Sequence, residues 1–231
     1  MSTNINELLQ GAAAQGDLTG PGLQALQIDN DFGAQIEAGM GLTPDDVPSA
    51  EIVLVTMMPD DSGSIKFANN AQAVSDGHNQ VIDALAASKQ PADVLVHNRD
   101  LNGKVLYPYT RVSSATKMDS RNYDPNQGTP LYDQTVVLLG TVLAKTQEFE
   151  DCGVPVRSVT LIITDGDECH SRQQSAATVR PIVEDMLRSE LHIIAAIGID
   201  DGSTDFTRVI REMGIRDEWI LVPGNSASEI R

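Results

Sequence analysis

From residue 51 onward, short runs of β-branched and aliphatic residues alternate with longer segments of helical periodicity, and this alternation constrains the fold more than any other feature. Glu51-Ile52-Val53-Leu54-Val55-Thr56-Met57-Met58 is almost continuously apolar, the pattern of a strand buried on both faces, and Pro59 ends it. Ser158-Val159-Thr160-Leu161-Ile162-Ile163 reads the same way, and residues 93–97, 104–109, 191–199 and 219–222 supply the remaining strands. Asn102-Gly103 is a tight-turn dipeptide, so the strands on either side of it pair antiparallel. Residues 67–88, with Val74, Val81, Ile82 and Leu85 on one side, are predicted to be helical, as are 131–149, 173–189 and 204–213. Residues 110–128 read as a polar loop. The order implies a Rossmann-like, three-layer α/β fold: a mostly parallel sheet with one antiparallel edge strand and helices on both faces.

Residues 1–50 break this pattern. They are rich in Gly, Gln, Asn and Asp, and their apolar residues come in bursts: Ile5, Leu8 and Leu9, then Leu23, Leu26 and Ile28, then Phe32 and Ile36. Gly20-Pro21-Gly22 and Leu42-Thr43-Pro44-Asp45-Asp46 interrupt them. The chain therefore divides into an N-terminal extension, 1–50, and a main domain, 51–231. The extension reads as one or two short helices packed on the main domain or as an arm reaching a neighbour, with a disordered tail as the competing reading.

A length of 231 residues suits one α/β domain with an extension. Hydrophobic residues make up 41% but aromatics only 4%, so the core must be built from Val, Ile, Leu, Ala and Met. A net charge of −17 repels phosphate backbones and anionic lipid, which sets aside nucleic acid and membrane surfaces as partners. The same carboxylates are suitable ligands for a hard cation. The first twenty residues lack the basic and apolar regions of a signal peptide, and no stretch is apolar for about 18 residues. Cys152 and Cys169 have neither metal-ligand spacing nor the density of a disulfide scaffold, so a reduced, cytoplasmic protein is expected.

In open α/β sheets the working site lies beyond the carboxyl ends of the strands. Pro59-Asp60-Asp61-Ser62-Gly63-Ser64-Ile65 follows the first strand, and Thr164-Asp165-Gly166-Asp167-Glu168 follows the strand at 158–163. Gly128-Thr129-Pro130-Leu131 opens the helix between them. Each piece alone has a plain explanation, since Asp-x-Ser-x-Ser recurs by chance and Ser or Asp before a helix is an ordinary N-cap. Together, in this order and each at a strand end or helix start, they are far more specific. Asp60-x-Ser62-x-Ser64, then Thr129, then Asp165 resemble the metal-ion-dependent adhesion site of von Willebrand factor A (VWA) domains, and the resemblance covers about residues 50–231. It implies a Rossmann-like sheet flanked by helices, with Asp60, Ser62, Ser64, Thr129 and Asp165 gathered round one divalent cation. Met57-Met58-Pro59 departs from the family's usual apolar run ending in aspartate, and residues 1–50 have no counterpart in the minimal family domain. Residues 225–231 read as the first turn of a helix capped by Ser226. If the family's final helix is missing, the extension is expected to cover the apolar surface it would leave.

Mg²⁺ is the first expectation for the cation, with Ca²⁺ and Mn²⁺ as alternatives. Ser62, Ser64 and Thr129 would supply neutral hydroxyls, leaving Asp60 and Asp165 as the only carboxylates. The resemblance implies that these aspartates often act through water, so the ion keeps an appetite for an outside carboxylate. The expected function is divalent-metal-dependent binding of another protein, which donates an Asp or Glu to the metal. An AAA+ ATPase is one such partner, and an adaptor subunit of a MoxR-like or chelatase-like AAA+ machine is the narrower form of this reading. The opposing class is a Mg²⁺-dependent hydrolase or phosphatase. That would need a positioned general base and a cationic clamp, yet no Lys or Arg lies within five residues of Asp165, and Lys66 belongs on a helix surface. No catalytic residue is therefore assigned. Asp61, Asp133, Asp167 and Glu168 read as a solvated acidic rim, with metal tuning or partner selection as the functional alternative. His78, His97 and His192 are expected to be structural, His170 lies near the site, and Cys169 is expected to be an inert buried thiol. Asp200-Asp201-Gly202-Ser203 reads as a turn and N-cap.

Overall fold

The computed structural model describes residues 4–26, 30–165, 168–199 and 204–222. Its strands are β1 (Ile52–Pro59), β2 (Val94–Arg99), β3 (Val105–Arg111), β4 (Val156–Thr164), β5 (His192–Gly198) and β6 (Ile220–Leu221). They form one sheet in the order β3-β2-β1-β4-β5-β6. All neighbours are parallel except β2 and β3, which makes β3 the antiparallel edge strand expected from Asn102-Gly103. β1 lies in the middle of the sheet and all its residues but Val53 are buried, which is why its sequence is apolar without alternation.

The helices are α1 (Ile5–Gln15), α2 (Gly20–Leu26), α3 (Asn30–Met40), α4 (Gly63–Phe67), α5 (Ala71–Ala86), α6 (Leu131–Glu150), α7 (Ala176–Arg188) and α8 (Phe206–Glu212). Ile82 of α5 packs with Val55, Met57 and Val96 on one face of the sheet. On the other face, residues of α6, α7 and α8 share a core with Met58, Ile162 and Ile194. The three layers are therefore present. The short segments that the sequence places at 200–203 and 225–231 lie outside the described residues.

Two expectations need correction. The helix expected at 67–88 begins later, as α5 at Ala71, and Phe67 ends the separate helix α4 rather than beginning α5. Asn69 adopts a left-handed φ of 57°. The N–H of Asn70 then bonds the carbonyl of Ile65 at 3.0 Å, and the N–H of Asn69 bonds that of Lys66 at 3.1 Å. This is a Schellman closure with asparagine where glycine is more usual, and periodicity alone does not reveal it. The second correction concerns the extension, whose described part forms three helices instead of one or two. α1 and α3 pack on α6, α2 packs on α7, and α3 also reaches β3.

α6 consequently has neighbours on all sides, and every one of its residues but Tyr132, Glu148 and Glu150 is buried. Gly140 allows the closest approach: a Cβ there would lie 2.7 Å from Ile36 Cδ1 and 2.9 Å from Leu26 Cδ2. Two buried cations find backbone acceptors in the extension. Lys145 Nζ donates to the Leu42 carbonyl at 2.8 Å and to Glu148 at 2.5 Å. The Arg99 guanidinium donates to the Gln35 carbonyl. Unpaired, such charges would each cost several kcal/mol in an apolar interior.

The junction between α3 and β3 is tightest at Gly41. Its φ is +58°, a Cβ there would stand 2.1 Å from the Tyr109 carbonyl oxygen, and the next N–H, of Leu42, donates to that oxygen at 2.9 Å. Gly41→Ala should therefore lower unfolding stability by roughly 2–4 kcal/mol, combining backbone strain with a clash against main chain. Urea denaturation followed by far-UV circular dichroism measures this. A variant as stable as the parent would show that the extension does not dock in this way.

Candidate metal centre

The sheet order reverses direction between β1 and β4, the position where doubly wound sheets open a crevice. Parallel register sets Pro59 beside Ile163, and the Asp60 N–H continues the ladder to the Ile163 carbonyl at 2.8 Å. Asp60 and Asp165 are thereby delivered side by side, and both are buried. Asp60 Oδ1 accepts from the Ser62 N–H at 2.7 Å, and its Oδ2 accepts from Thr164 Oγ1 at 2.7 Å. The Ser62 and Ser64 hydroxyls are 2.8 Å apart, and Ser64 Oγ donates to Asp165 Oδ2. Four of the five residues singled out in the sequence are thus linked by hydrogen bonds, Asp60 to Ser62 through the Ser62 backbone N–H and the other three through side-chain oxygens.

Thr129 makes no direct bond to those four but stands on the adjoining loop. The Gln127 N–H bonds the Asp61 carbonyl at 3.0 Å, and the Gly63 N–H bonds the Gln127 carbonyl at 3.1 Å, which ties this loop to the one carrying Ser62 and Ser64. The Thr129 N–H donates to His170 Nδ1 at 2.9 Å, so His170 braces the Thr129 backbone. Gly128 is required beside it, because a Cβ there would fall within 2.7–2.9 Å of the His170 ring.

Burial pushes the Asp60 carboxyl above its ordinary value, opposed by its hydrogen bonds from Ser62 and Thr164 and reinforced by the charge of Asp61. A buried carboxyl in that state gains from a cation that can replace the missing solvation. The donor set of two carboxylates and three hydroxyls is all oxygen, as a hard divalent ion requires. Among the described residues, no group of three or more His, Cys, Asp and Glu side chains could hold a metal instead. Lys66 is turned to Asp124 at 2.9 Å on the surface.

Solved structures with similar folds include the pilus adhesin SpaC from Lactobacillus rhamnosus GG, at 15% identity and a TM-score of 0.54 over 79% of this chain and 29% of that one. Proximal thread matrix protein 1 from the mussel byssus matches at 20% identity and a TM-score of 0.52, covering 78% of this chain and 44% of that chain. The SpRpn10 VWA domain matches at 10% identity and a TM-score of 0.53, covering 79% of this chain and 92% of that domain. The chain has the VWA fold. At these identities the likeness is one of fold, and the chain spans less than half the length of the adhesin and of the thread matrix protein. No protein-family model and no curated protein matches the sequence.

The acidic rim of this VWA fold differs from the solvated face that the sequence implies. Asp61 is 5% exposed and accepts from the backbone and side-chain amides of Asn102, each at 3.0 Å. Asp133 accepts three successive backbone N–H groups, of Arg172, Gln173 and Gln174, at 2.8–3.1 Å. Glu168 accepts from the N–H groups of Tyr132, His170 and Ser171. These carboxylates brace the loops around the site, while Asp167 lies outside the described residues. Cys169 is also corrected, being exposed rather than buried, with Sγ 3.0 Å from His170 Nδ1. His78, His97 and His192 are buried and bond Tyr107 Oη, the Tyr107 carbonyl and Ser158 Oγ respectively. Three contributors were not identified from the sequence: Thr164, Tyr123, whose hydroxyl donates to the Asp60 carbonyl, and the Asn102 side chain. Thr164 belongs to the Thr164-Asp165-Gly166 segment and Asn102 to the Asn102-Gly103 turn, but the part each plays in the site is recognisable only once the fold sets it against Asp60 or Asp61.

Asp100, at the end of β2, is 2% exposed, and burial followed by the charge of Asp61 raises its carboxyl to about 7 against the pull of Lys104. A folded value above the unfolded one means that Asp100 opposes folding increasingly as pH rises from about 4 to 7, and not at all below that window. Between pH 4 and pH 8, Asp100→Asn should therefore gain about 2–4 kcal/mol of stability relative to wild type, measured by denaturation in EDTA. A pH-independent difference between the two proteins would contradict this.

Proposed function

We propose that this chain is a protein-binding module that uses one divalent cation, held by Asp60, Ser62, Ser64, Thr129 and Asp165, to coordinate an Asp or Glu of its partner. The observation that supports this most is the hydrogen-bonded chain from Asp60 through Ser62 and Ser64 to Asp165, at the reversal point of the sheet. When bound, the cation supplies a Lewis-acidic position for an external carboxylate. The protein's own part is to fix the oxygens. Thr164 and the Ser62 N–H orient the Asp60 carboxylate, Ser62 and Ser64 present hydroxyls from the start of α4, and His170 holds the Thr129 backbone. Mg²⁺ fits this donor set, and Ca²⁺ and Mn²⁺ are the alternatives.

The VWA fold of an adhesin, a thread matrix protein and SpRpn10 favours an interaction module over an enzyme. The hydrolase reading lacks an observation in its favour, since Lys66 is engaged by Asp124 and His170 is engaged by Thr129. An AAA+ ATPase is one partner class this reading admits, including as the motor that the chain would serve as adaptor. Cys152 and Cys169 are both exposed and are not joined to each other, which a reducing, cytoplasmic compartment would accommodate. Among the described residues no helix is long and apolar enough to cross a membrane.

Binding of the cation to the folded state should raise the melting temperature by roughly 5–10 °C at about 100 times its Kd. Ser64→Ala and Asp165→Ala should lose most of that increase. Equal responses of wild type and both variants to Mg²⁺, Ca²⁺ and Mn²⁺ would show the ligand assignment to be wrong. The net charge of −17 also predicts that partner binding is no weaker at moderate salt than at low salt, because screening relieves long-range repulsion while direct coordination survives it. Full binding in EDTA would contradict the metal-mediated reading and move the interface elsewhere.

A further inference from the structure

We propose that Phe67 is a specificity-determining residue of this metal site, selecting partner segments that carry an apolar side chain beside the metal-binding carboxylate. This inference rests on the function proposed above and adds the chemistry of the partner.

α4 is a helix of five residues, and its inward side chain is Ile65, which is 1% exposed and packs with Ala73, Val74, Met118 and Tyr123. Successive helical residues are rotated by about 100°. Phe67 therefore lies roughly opposite Ile65 and points away from the protein. Its exposure of 89% exceeds that of every other large hydrophobic residue among those described; the next, Leu221, is 56% exposed. An aromatic ring left in water forgoes the largest hydrophobic contribution a side chain can make. The local fold gives no reason to keep it there. The closure after α4 uses the carbonyls of Ile65 and Lys66 and the left-handed Asn69, none of which depends on the side chain at position 67.

The ring is placed where a partner would meet it. Ser64 and Phe67 are three residues apart and so share a face of α4. Ser64 presents its hydroxyl to Ser62 and Asp165 from that face. The edge of the Phe67 ring lies 3.7 Å from the position a Cβ would take at Gly63, between the two serines. The exposed ring thus stands beside Gly63, on the same short helix that carries Ser64 and has Ser62 as its N-cap. Beyond it, the exposed Lys66 and Asp124 neutralise one another at 2.9 Å. A partner segment with one carboxylate for the metal and an adjacent Leu, Ile, Phe or Met would satisfy both the ion and the ring. A second acidic residue would meet a molecule of net charge −17 and gain nothing from the ring.

The test is selection from a random-peptide display library on the full chain in Mg²⁺, with elution by EDTA. Eluted peptides should share an Asp or Glu with an apolar residue at a fixed offset. A synthetic peptide of that sequence should bind Phe67→Ser about tenfold or more weakly than wild type, and Phe67→Leu nearly as well as wild type. Phe67→Ser should keep the full metal-induced rise in melting temperature, which shows that the variant is folded and its metal site intact. Peptides with a carboxylate but no apolar neighbour, or equal affinity for wild type and Phe67→Ser, would overturn the inference and leave the metal site standing. A dimer of the chain that depends on Phe67 would overturn it too, by assigning the ring to a second copy. Absence of any EDTA-eluted peptide together with no metal-induced rise in melting temperature would bring down the metal site itself, and this inference with it.

Discussion

The parallel pairing of β1 with β4 is the contact on which the rest of this structure depends. It runs in register from Ile52 opposite Val156 to Pro59 opposite Ile163, and the Asp60 N–H extends it by one more bond. Because both strands end together at the reversal of the sheet order, two aspartates from segments about a hundred residues apart arrive in the same buried crevice. Two buried carboxylates side by side are unfavourable by themselves. Here Asp60 is answered by the Thr164 hydroxyl and the Ser62 amide, and Asp165 by the Ser64 hydroxyl. Two buried carboxylates beside three hydroxyl-bearing side chains make the crevice a candidate cation site.

The second level of organisation is the loop scaffold around that crevice. Asn102, from the β2–β3 turn, reaches both Asp61 and the Gly128 carbonyl, and so clips three loops together. Asp133 and Glu168 gather backbone N–H groups from the segment that leads into α7. Carboxylates that look from the sequence like a solvated rim are in fact spent on holding loops still. The extension acts farther away, covering the outer side of α6, the helix that Thr129 precedes. Rigidity of α6 therefore bears on where Thr129 stands.

Much of this was legible in the sequence because its signals were local or periodic. The apolar runs at β1 and β4, the Asn102-Gly103 turn and the alternation of strands with helices determine the sheet and its antiparallel edge. The five oxygen-bearing residues could be read because they sit at element boundaries in a recognisable order. What escaped the sequence depends on conformation or on distant contacts. Asn69 breaks the helix by adopting a left-handed conformation that only a few residue types tolerate, without any proline or glycine to mark it. Residues 1–50 admit an arm or a disordered tail as well as packed helices because their apolar bursts are brief; the described residues of each burst pack against α6 or α7, and a partner surface is invisible from the segment itself. Thr164 and Tyr123 serve Asp60 through contacts that span 104 and 63 residues of chain.

The central claim is that the crevice between β1 and β4 holds a divalent cation. Diffraction from crystals grown with Mn²⁺, collected to record its anomalous signal, locates the ion directly. The account predicts one peak bonded to the Ser62 and Ser64 hydroxyls, with Asp60, Thr129 and Asp165 reaching it directly or through a single water. A peak found only elsewhere would contradict it, as would no peak at all.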